Sequence, residues 1–341
     1  MADIEEDKEM MNRKKKYKLA RFAIFTATLT VVGAGVYLLL KNQQTKTVEI
    51  GNSEIEVEQT DVVLYEGKKY KYNEHLSNYL FLGIDKEERQ ETQVGKADAG
   101  QADAVFLFTR NRKEGTLSVL TIPRDTITEI EVFNQEGKST GKTLDHISLA
   151  YGYGDGGRES CALMRDAVSN LLYGLHIDGY CSINMDAIPI MMEQVKELTV
   201  TVPNDSLEEV FPQWSQGTEV KLTKDNIEDF IRYRDTTKPH SALKRMERQQ
   251  AFLAAYGERA KELYQENSSF ITNLYTVIEE YMVTNIGKDN FLKIMQNMEE
   301  SGADMWTLPG EGVTANGFDE YHVDDTELYK EIIEKFYEEA K

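Results

Sequence analysis

Three short apolar runs do most to limit what this chain can fold into: NYLFLGI (78–84), AVFLFT (104–109) and TLSVLTI (116–122). Each is too short for a packed helix and rich in aromatic and branched residues, which is the signature of buried strands. The polar, glycine-containing NRKEGT between the second and third has the composition of a hairpin turn. A longer polar loop, KEERQETQVGKADAGQ, joins the first to the second. Downstream, helical spacing in ESCALMRDAVSNLLYG alternates with strand-like IDGYCSINM, then AIPIMMEQV, LTVTVP and further amphipathic segments. The reading is α/β: a single α-β-α domain over 78–341, with a central mixed sheet flanked by helices.

If the three runs are antiparallel neighbours, the end of one lies beside the start of the next. Asp85 follows the first run, Asp103 precedes the second, and the returning third delivers Arg124 of TIPRDT to the same edge. Two carboxylates converging beside a cation suit Mg²⁺ next to an anionic ligand, because hard divalent cations take oxygen donors. The plain alternative is that all three are ordinary residues at strand ends.

The chain carries a formal net charge of −20, which argues against nucleic acid as a partner. Yet IRYRDTTKPHSALKRMERQQ (231–250) gathers Arg232, Arg234, Arg245 and Arg248. The spacing predicts that LTKDNIEDFIRYR is a helix with Thr223 as N-cap, closed by Arg232 and Arg234. Arg245 and Arg248 then begin the next helix, at an end that already carries positive partial charge. Cations there make sense around an anion, and guanidinium suits phosphate oxygens. Local pairing with Asp235 and Glu247 is the alternative.

Residues 22–40 hold no charge and no proline, about enough to cross a bilayer core. RKKKYKLAR just before them holds six basic residues and no acidic one. The expected order is therefore a cytoplasmic basic tail at 1–21, a transmembrane signal-anchor helix at 22–40, a stalk with edge strands at 41–77, and an exported domain. A cleavable signal peptide is the rival reading, although the run is long and no small-x-small site follows. Cys161 and Cys181 are too few for a disulfide framework; they either pair once or stay buried as small apolar residues.

Taken together, NYLFLGID, GQADAVFLFT, LTIPRDT, HISLAYGYGDGG, IRYRDT and KRMERQQAFL resemble the LytR–CpsA–Psr family of bacterial cell-envelope enzymes. The resemblance implies a phosphotransferase at the outer face of the cytoplasmic membrane. Such an enzyme moves an anionic glycopolymer, teichoic acid or capsule, from a polyprenyl-pyrophosphate carrier to a peptidoglycan sugar hydroxyl. By position it implies that Asp85 and Asp103 bind Mg²⁺ and, with Arg124, act in catalysis. It also implies that Arg124, Arg232, Arg234, Arg245 and Gln249 hold the pyrophosphate. An apolar tunnel for the lipid would be lined by helix faces such as those of Leu163, Leu171, Phe252 and Leu253. The chain departs from the family pattern at Gln101, where an arginine is usual, at Ala242, where an acid is usual, and at His146 and Ser148. Other functions open to such a chain are a non-catalytic binder or sensor of the same lipid, and a hydrolase releasing it to water.

Overall fold

The structure, a computed structural model, describes residues 62–87, 91–301, 303–315 and 317–340, with the strands Lys46–Ile50 (β1) and Ser53–Val57 (β2). The expected tail at 1–21 and anchor at 22–40 lie outside the described residues. Among the described residues, no helix is long and apolar enough to cross a membrane. The chain divides into two units, Asn73–Tyr337 and a smaller one made of Met1–Tyr72 with Glu338–Lys341. In the smaller unit β1 pairs antiparallel with β2. There too, β3 (Val62–Tyr65) and β4 (Lys68–Tyr72) form a hairpin. Glu66 and Gly67, both at positive φ (48° and 76°), make the tight turn that right-twisted strands favour.

The larger unit is built on the predicted meander. β5 (Leu76–Ile84), β6 (Ala102–Asn111) and β7 (Leu117–Ile122) are consecutive antiparallel neighbours. A separate hairpin, β8 (Ile127–Phe133) with β9 (Ser139–His146), precedes α1 (Leu149–Gly152) and α2 (Arg158–Leu171). Next come β10 (Gly179–Asn184), α3 (Ala187–Val195) and the hairpin partners β11 (Glu197–Thr201) and β12 (Glu219–Thr223). Four helices follow, α4 (Ile227–Arg232), α5 (Ser241–Glu266), α6 (Phe270–Ile278) and α7 (Lys288–Ser301), with the short strand β13 (Met282–Thr284) between the last two. The unit closes with β14 (Ala303–Thr307), the hairpin β15 (Gly310–Ala315) and β16 (Phe318–Val323), and α8 (Asp325–Phe336). The six-stranded sheet runs β13-β10-β5-β6-β7-β14, with β10 parallel to β5 and β14 parallel to β7. It is mixed, as expected, because only the outer parallel strands need crossover connections.

Strand alternation sends side chains to two helical layers. Phe81, Phe108, Val119 and Cys181 share a core with Met192, Phe252, Leu274, Phe291 and Ile294 of α3, α5, α6 and α7. On the other face, Ser182 Oγ lies 3.4 Å from the Cys161 sulfur of α2, and Leu80, Leu82, Leu107 and Leu120 are fully buried. Both cysteines are buried, one against each face.

Several boundaries differ from expectation. The first strand starts at Leu76, inside the expected stalk, and Asp103 lies within β6 rather than before it. Thr223 ends a strand, and Asn226 is the residue that precedes α4. The long helix begins at Ser241, a full turn before Arg245. The hairpins β8–β9 and β15–β16 were not expected.

Candidate active site

The meander brings its predicted residues to one edge. The β5–β6 register shifts between Gly83 and Ile84: Gly83 faces Ala104 and Ile84 faces Ala102, leaving Asp103 without a partner. Such a bulge re-aims a side chain. Asp85 and Gln101 are locked reciprocally: the Asp85 N–H donates to Gln101 O at 3.1 Å and the Gln101 N–H donates to Asp85 Oδ1 at 2.6 Å. Arg124, two residues past β7, pairs with Asp103 Oδ1, donates to Gln101 Oε1, and sends its Nε to Asp125 Oδ1 at 3.2 Å. Asp103 Oδ2 takes a second guanidinium, with Arg245 Nη1 at 2.7 Å. One carboxylate therefore bridges two arginines from distant segments.

Arg245 does not sit at a helix N-terminus, so a phosphate held there by free N–H groups is not what its position offers. It lies in the second turn of α5, with Gln249 one turn further on the same face. Arg245 is 7% exposed, and its Nε and Nη2, like Gln249 Oε1, are buried with no partner among the described residues. Unpaired buried donors are costly, and buried charges are normally paired. Burial, reinforced by the neighbouring charge of Arg234, pushes the Arg245 guanidinium down to about 10. It still carries its charge at neutral pH. Burial also lowers Arg124, against the opposing pull of Asp125.

Arg232 and Arg234 flank Tyr233, whose extended backbone ends α4. Arg234 donates to Ser241 Oγ at 2.9 Å and its Nη2 lies 3.9 Å from Asp319 Oδ2 on β16. Arg232 pairs with Glu228 at 3.2 Å in a half-exposed setting. The alternative of local pairing with Asp235 and Glu247 is not what forms: Asp235 bonds Thr237 and Lys238, and Glu247 bonds Asn204.

A cavity of about 430 Å³ opens at this cluster. Asp85, Asp103, Arg232, Arg245 and Gln249 line it, and Phe106, Ile188, Phe252, Leu253, Leu274 and Phe291 are among the apolar residues that continue it. Phe252 and Leu253 thus line it as expected. Leu163 and Leu171 of α2 are not among its lining residues. Arg124 and Arg234 are not among its lining residues: Arg124 reaches it through Asp103, and Arg234 is near enough for its charge to repel that of Arg245.

Residues 36–335 match the LytR_cpsA_psr family. The chain belongs to this family. It is 25% identical over 338 residues to the polyisoprenyl-teichoic acid–peptidoglycan teichoic acid transferase TagU of Bacillus subtilis, covering 95% of this chain and 99% of that protein. Identity to TagT of the same organism is 27% over 270 residues, covering 75% and 76%. Among solved structures, B. subtilis TagV superposes with a TM-score of 0.58 at 21% identity, covering 77% of this chain and 97% of that one. TagT bound to LI-WTA gives 0.56 at 20% identity, covering 77% and 91%. These likenesses establish the mixed α/β fold of the family.

Four further residues of this LytR–CpsA–Psr chain belong to the cluster. The sequence marks Gln101 as a departure from the family pattern and Asp125 as an acid that could compensate for the one absent at Ala242, and it gives no sign of Ser241 or Asp319. Gln101 links Asp85 to Arg124, Asp125 faces Arg124, Ser241 holds Arg234, and Asp319 approaches Arg234. Ala242 is buried at 3% exposure and supplies no charge. Among the described residues no group of three acidic, histidine or cysteine side chains could enclose a metal ion. Mg²⁺ does not require one, since it keeps water ligands and takes one or two carboxylates plus substrate phosphate oxygens. Asp85 and Asp103, facing one cavity, fit that donor set.

Proposed function

We propose that this chain transfers an anionic glycopolymer from a polyprenyl-pyrophosphate carrier to a peptidoglycan sugar hydroxyl, forming a phosphodiester. One observation carries the reading: a buried guanidinium with unspent donors stands at the polar end of an apolar cavity. A lipid diphosphate has that polarity, with a doubly anionic head and a hydrocarbon tail. The curated relatives named as teichoic acid transferases supply the substrate class.

In this reading Arg245 Nε and Nη2 and the Arg232 side chain grip diphosphate oxygens. Arg124, held by Asp103, Asp125 and Gln101, adds charge at the transferring phosphorus. The acceptor oxygen attacks that phosphorus, the bond to the bridging oxygen breaks, and polyprenyl phosphate leaves. Fixed guanidinium groups in a water-poor pocket stabilise the charge spread over the phosphoryl oxygens. Asp85 and Asp103 would hold Mg²⁺, which supplies further neutralisation of the same oxygens. The acceptor hydroxyl proton passes to the departing polyprenyl phosphate, whose freed oxygen is the base formed in the step. The expected anchor at 22–40 would keep the domain at the outer face of the membrane, where both substrates meet.

The test is transfer in vitro by the full-length protein in detergent, from a lipid-linked teichoic acid precursor to peptidoglycan with Mg²⁺. Product is expected with the unaltered protein and none with Arg124→Ala. No product with any divalent metal, or phosphate release that needs no acceptor, would sink the transferase reading.

A further inference from the structure

Among the described residues Arg248 is the largest side chain that is fully buried, at 1% exposure, and the proposed transfer makes no use of it. It faces away from the cavity, three residues after Arg245 on α5. Its guanidinium is held by oxygens that carry no formal charge. Nε donates to Phe230 O at 2.6 Å, Nη2 to Tyr233 O, and Nη1 to Ser206 Oγ and to Lys244 O at 3.4 Å. Taking a cation out of water costs several kcal/mol unless its surroundings replace the lost hydration. Here the replacement is the carbonyl end of α4, where orphan C=O groups and the negative end of the helix dipole gather.

Those carbonyls belong to the segment that carries Arg232 and Arg234, and Tyr233 lies between the two. One fork therefore ties three pieces of chain: the end of α4, the loop at Ser206, and the helix that bears Arg245. We infer that Arg248 is a positioning residue, which fixes the α4 end against α5 so that Arg232 and Arg234 converge with Arg245 on one anion. The inference rests on the lipid-diphosphate reading of the site. Lysine cannot substitute, because a single ammonium on a flexible stem does not span two carbonyls and a hydroxyl in fixed directions.

The experiment measures farnesyl diphosphate binding to full-length protein in detergent by calorimetry, alongside its unfolding temperature. Arg248→Lys is expected to weaken binding at least tenfold at temperatures where the protein stays folded. In an Arg232→Ala/Arg234→Ala background the same change is expected to cost less than twofold, since the groups it aims are gone. Ser206→Ala, a milder cut at the same fork, should show a smaller loss with the same background dependence, and serves if Arg248→Lys does not fold. A lowered unfolding temperature with unchanged binding would overturn the inference and leave Arg248 a scaffold residue. Equal losses in both backgrounds would overturn it too, because the effect would not then pass through Arg232 and Arg234. Absence of binding by the unaltered protein would sink the substrate reading and the inference with it. Binding that ignores both variants would sink the inference alone.

Discussion

The two ends of the β5–β6 pair both carry buried polar groups, and they are finished differently. At one end Asn78, 0% exposed, sends its side-chain N–H to His176 O at 2.8 Å and accepts from Thr109 Oγ1 at 2.9 Å. Its backbone N–H donates to Asp178 Oδ2 and its carbonyl accepts from the Asp178 N–H, both at 2.7 Å. At the other end Asp103 bridges two arginines, and Arg245 and Gln249 keep buried atoms without a partner. A polar network that serves only the fold closes on itself, since each open valence costs stability. One that receives a ligand leaves donors open and aims them at a cavity. The contrast separates scaffold from site without reference to any relative.

Arg245→Met is the sharpest way to break it. Losing a charged donor preorganised for phosphoryl oxygens should cut transfer by about 10²–10³-fold. Arg245 shares Asp103 with Arg124, so the carboxylate keeps one guanidinium when Arg245 is lost and the unfolding temperature should fall only modestly. A transfer assay with a thermal melt on the same sample checks both. A strongly destabilised variant with near-normal transfer would reverse the assignment of the two ends.

A ligand effect follows from the same open donors. Farnesyl diphosphate at a hundred times its dissociation constant should stabilise the folded state by about 2.7 kcal/mol. Arg245→Met should show no such gain at that concentration. The melt is best run between pH 7 and 9, below the value of about 10 to which burial pushes Arg245, so that the guanidinium keeps its proton. With a folded-state value below that of the unfolded chain, the charged group opposes folding throughout this range, and an anion relieves that cost. The shift should therefore be flat across the window. A shift that falls steeply between pH 7 and 9 would assign the ligand contact to some other group.

How much of this was legible in the sequence differs by segment for physical reasons. The meander and the meeting of Asp85, Asp103 and Arg124 could be read from strand length, turn composition and antiparallel geometry. The depth of Arg245 could not. It depends on α5 starting at Ser241 after His240, which takes a left-handed φ of 56°, an uncommon conformation for a residue other than glycine. A helix begun four residues later puts Arg245 at a solvated end rather than in the second turn. Asp319 lies on β16, two residues past Gly317, whose positive φ of 86° suits a hairpin turn. Its approach to Arg234, however, is a long-range contact that no local pattern encodes. Nor does composition distinguish Arg248 from its neighbours, since the carbonyls that hold it come from another helix.

At the closed end of the meander, Asn78→Ala should behave oppositely to Arg245→Met. It strands the Thr109 hydroxyl and the His176 carbonyl, for a cost of about 1–3 kcal/mol. Transfer per folded molecule should be unchanged. Denaturant titration read against active-site-normalised turnover checks it; a loss of turnover at full stability would make that end part of the site.

The smallest effect is expected where the two behaviours overlap, at Arg232. It lines the cavity, yet its guanidinium already has a partner in Glu228, four residues earlier on α4, with both side chains about two-fifths exposed. A pair so open to water contributes a few tenths of a kcal/mol, so Arg232→Ala should leave stability within about 0.5 kcal/mol of the unaltered protein. Its charge is also screened, which limits its hold on a diphosphate compared with Arg245. Transfer should fall less than about tenfold, and the deficit should shrink as salt rises toward 0.5 M, because only the screened part of the attraction is lost. A deficit as large as that of Arg245→Met and insensitive to salt would mean that Arg232 turns inward when the diphosphate binds. The open end of the meander would then be completed by the ligand itself.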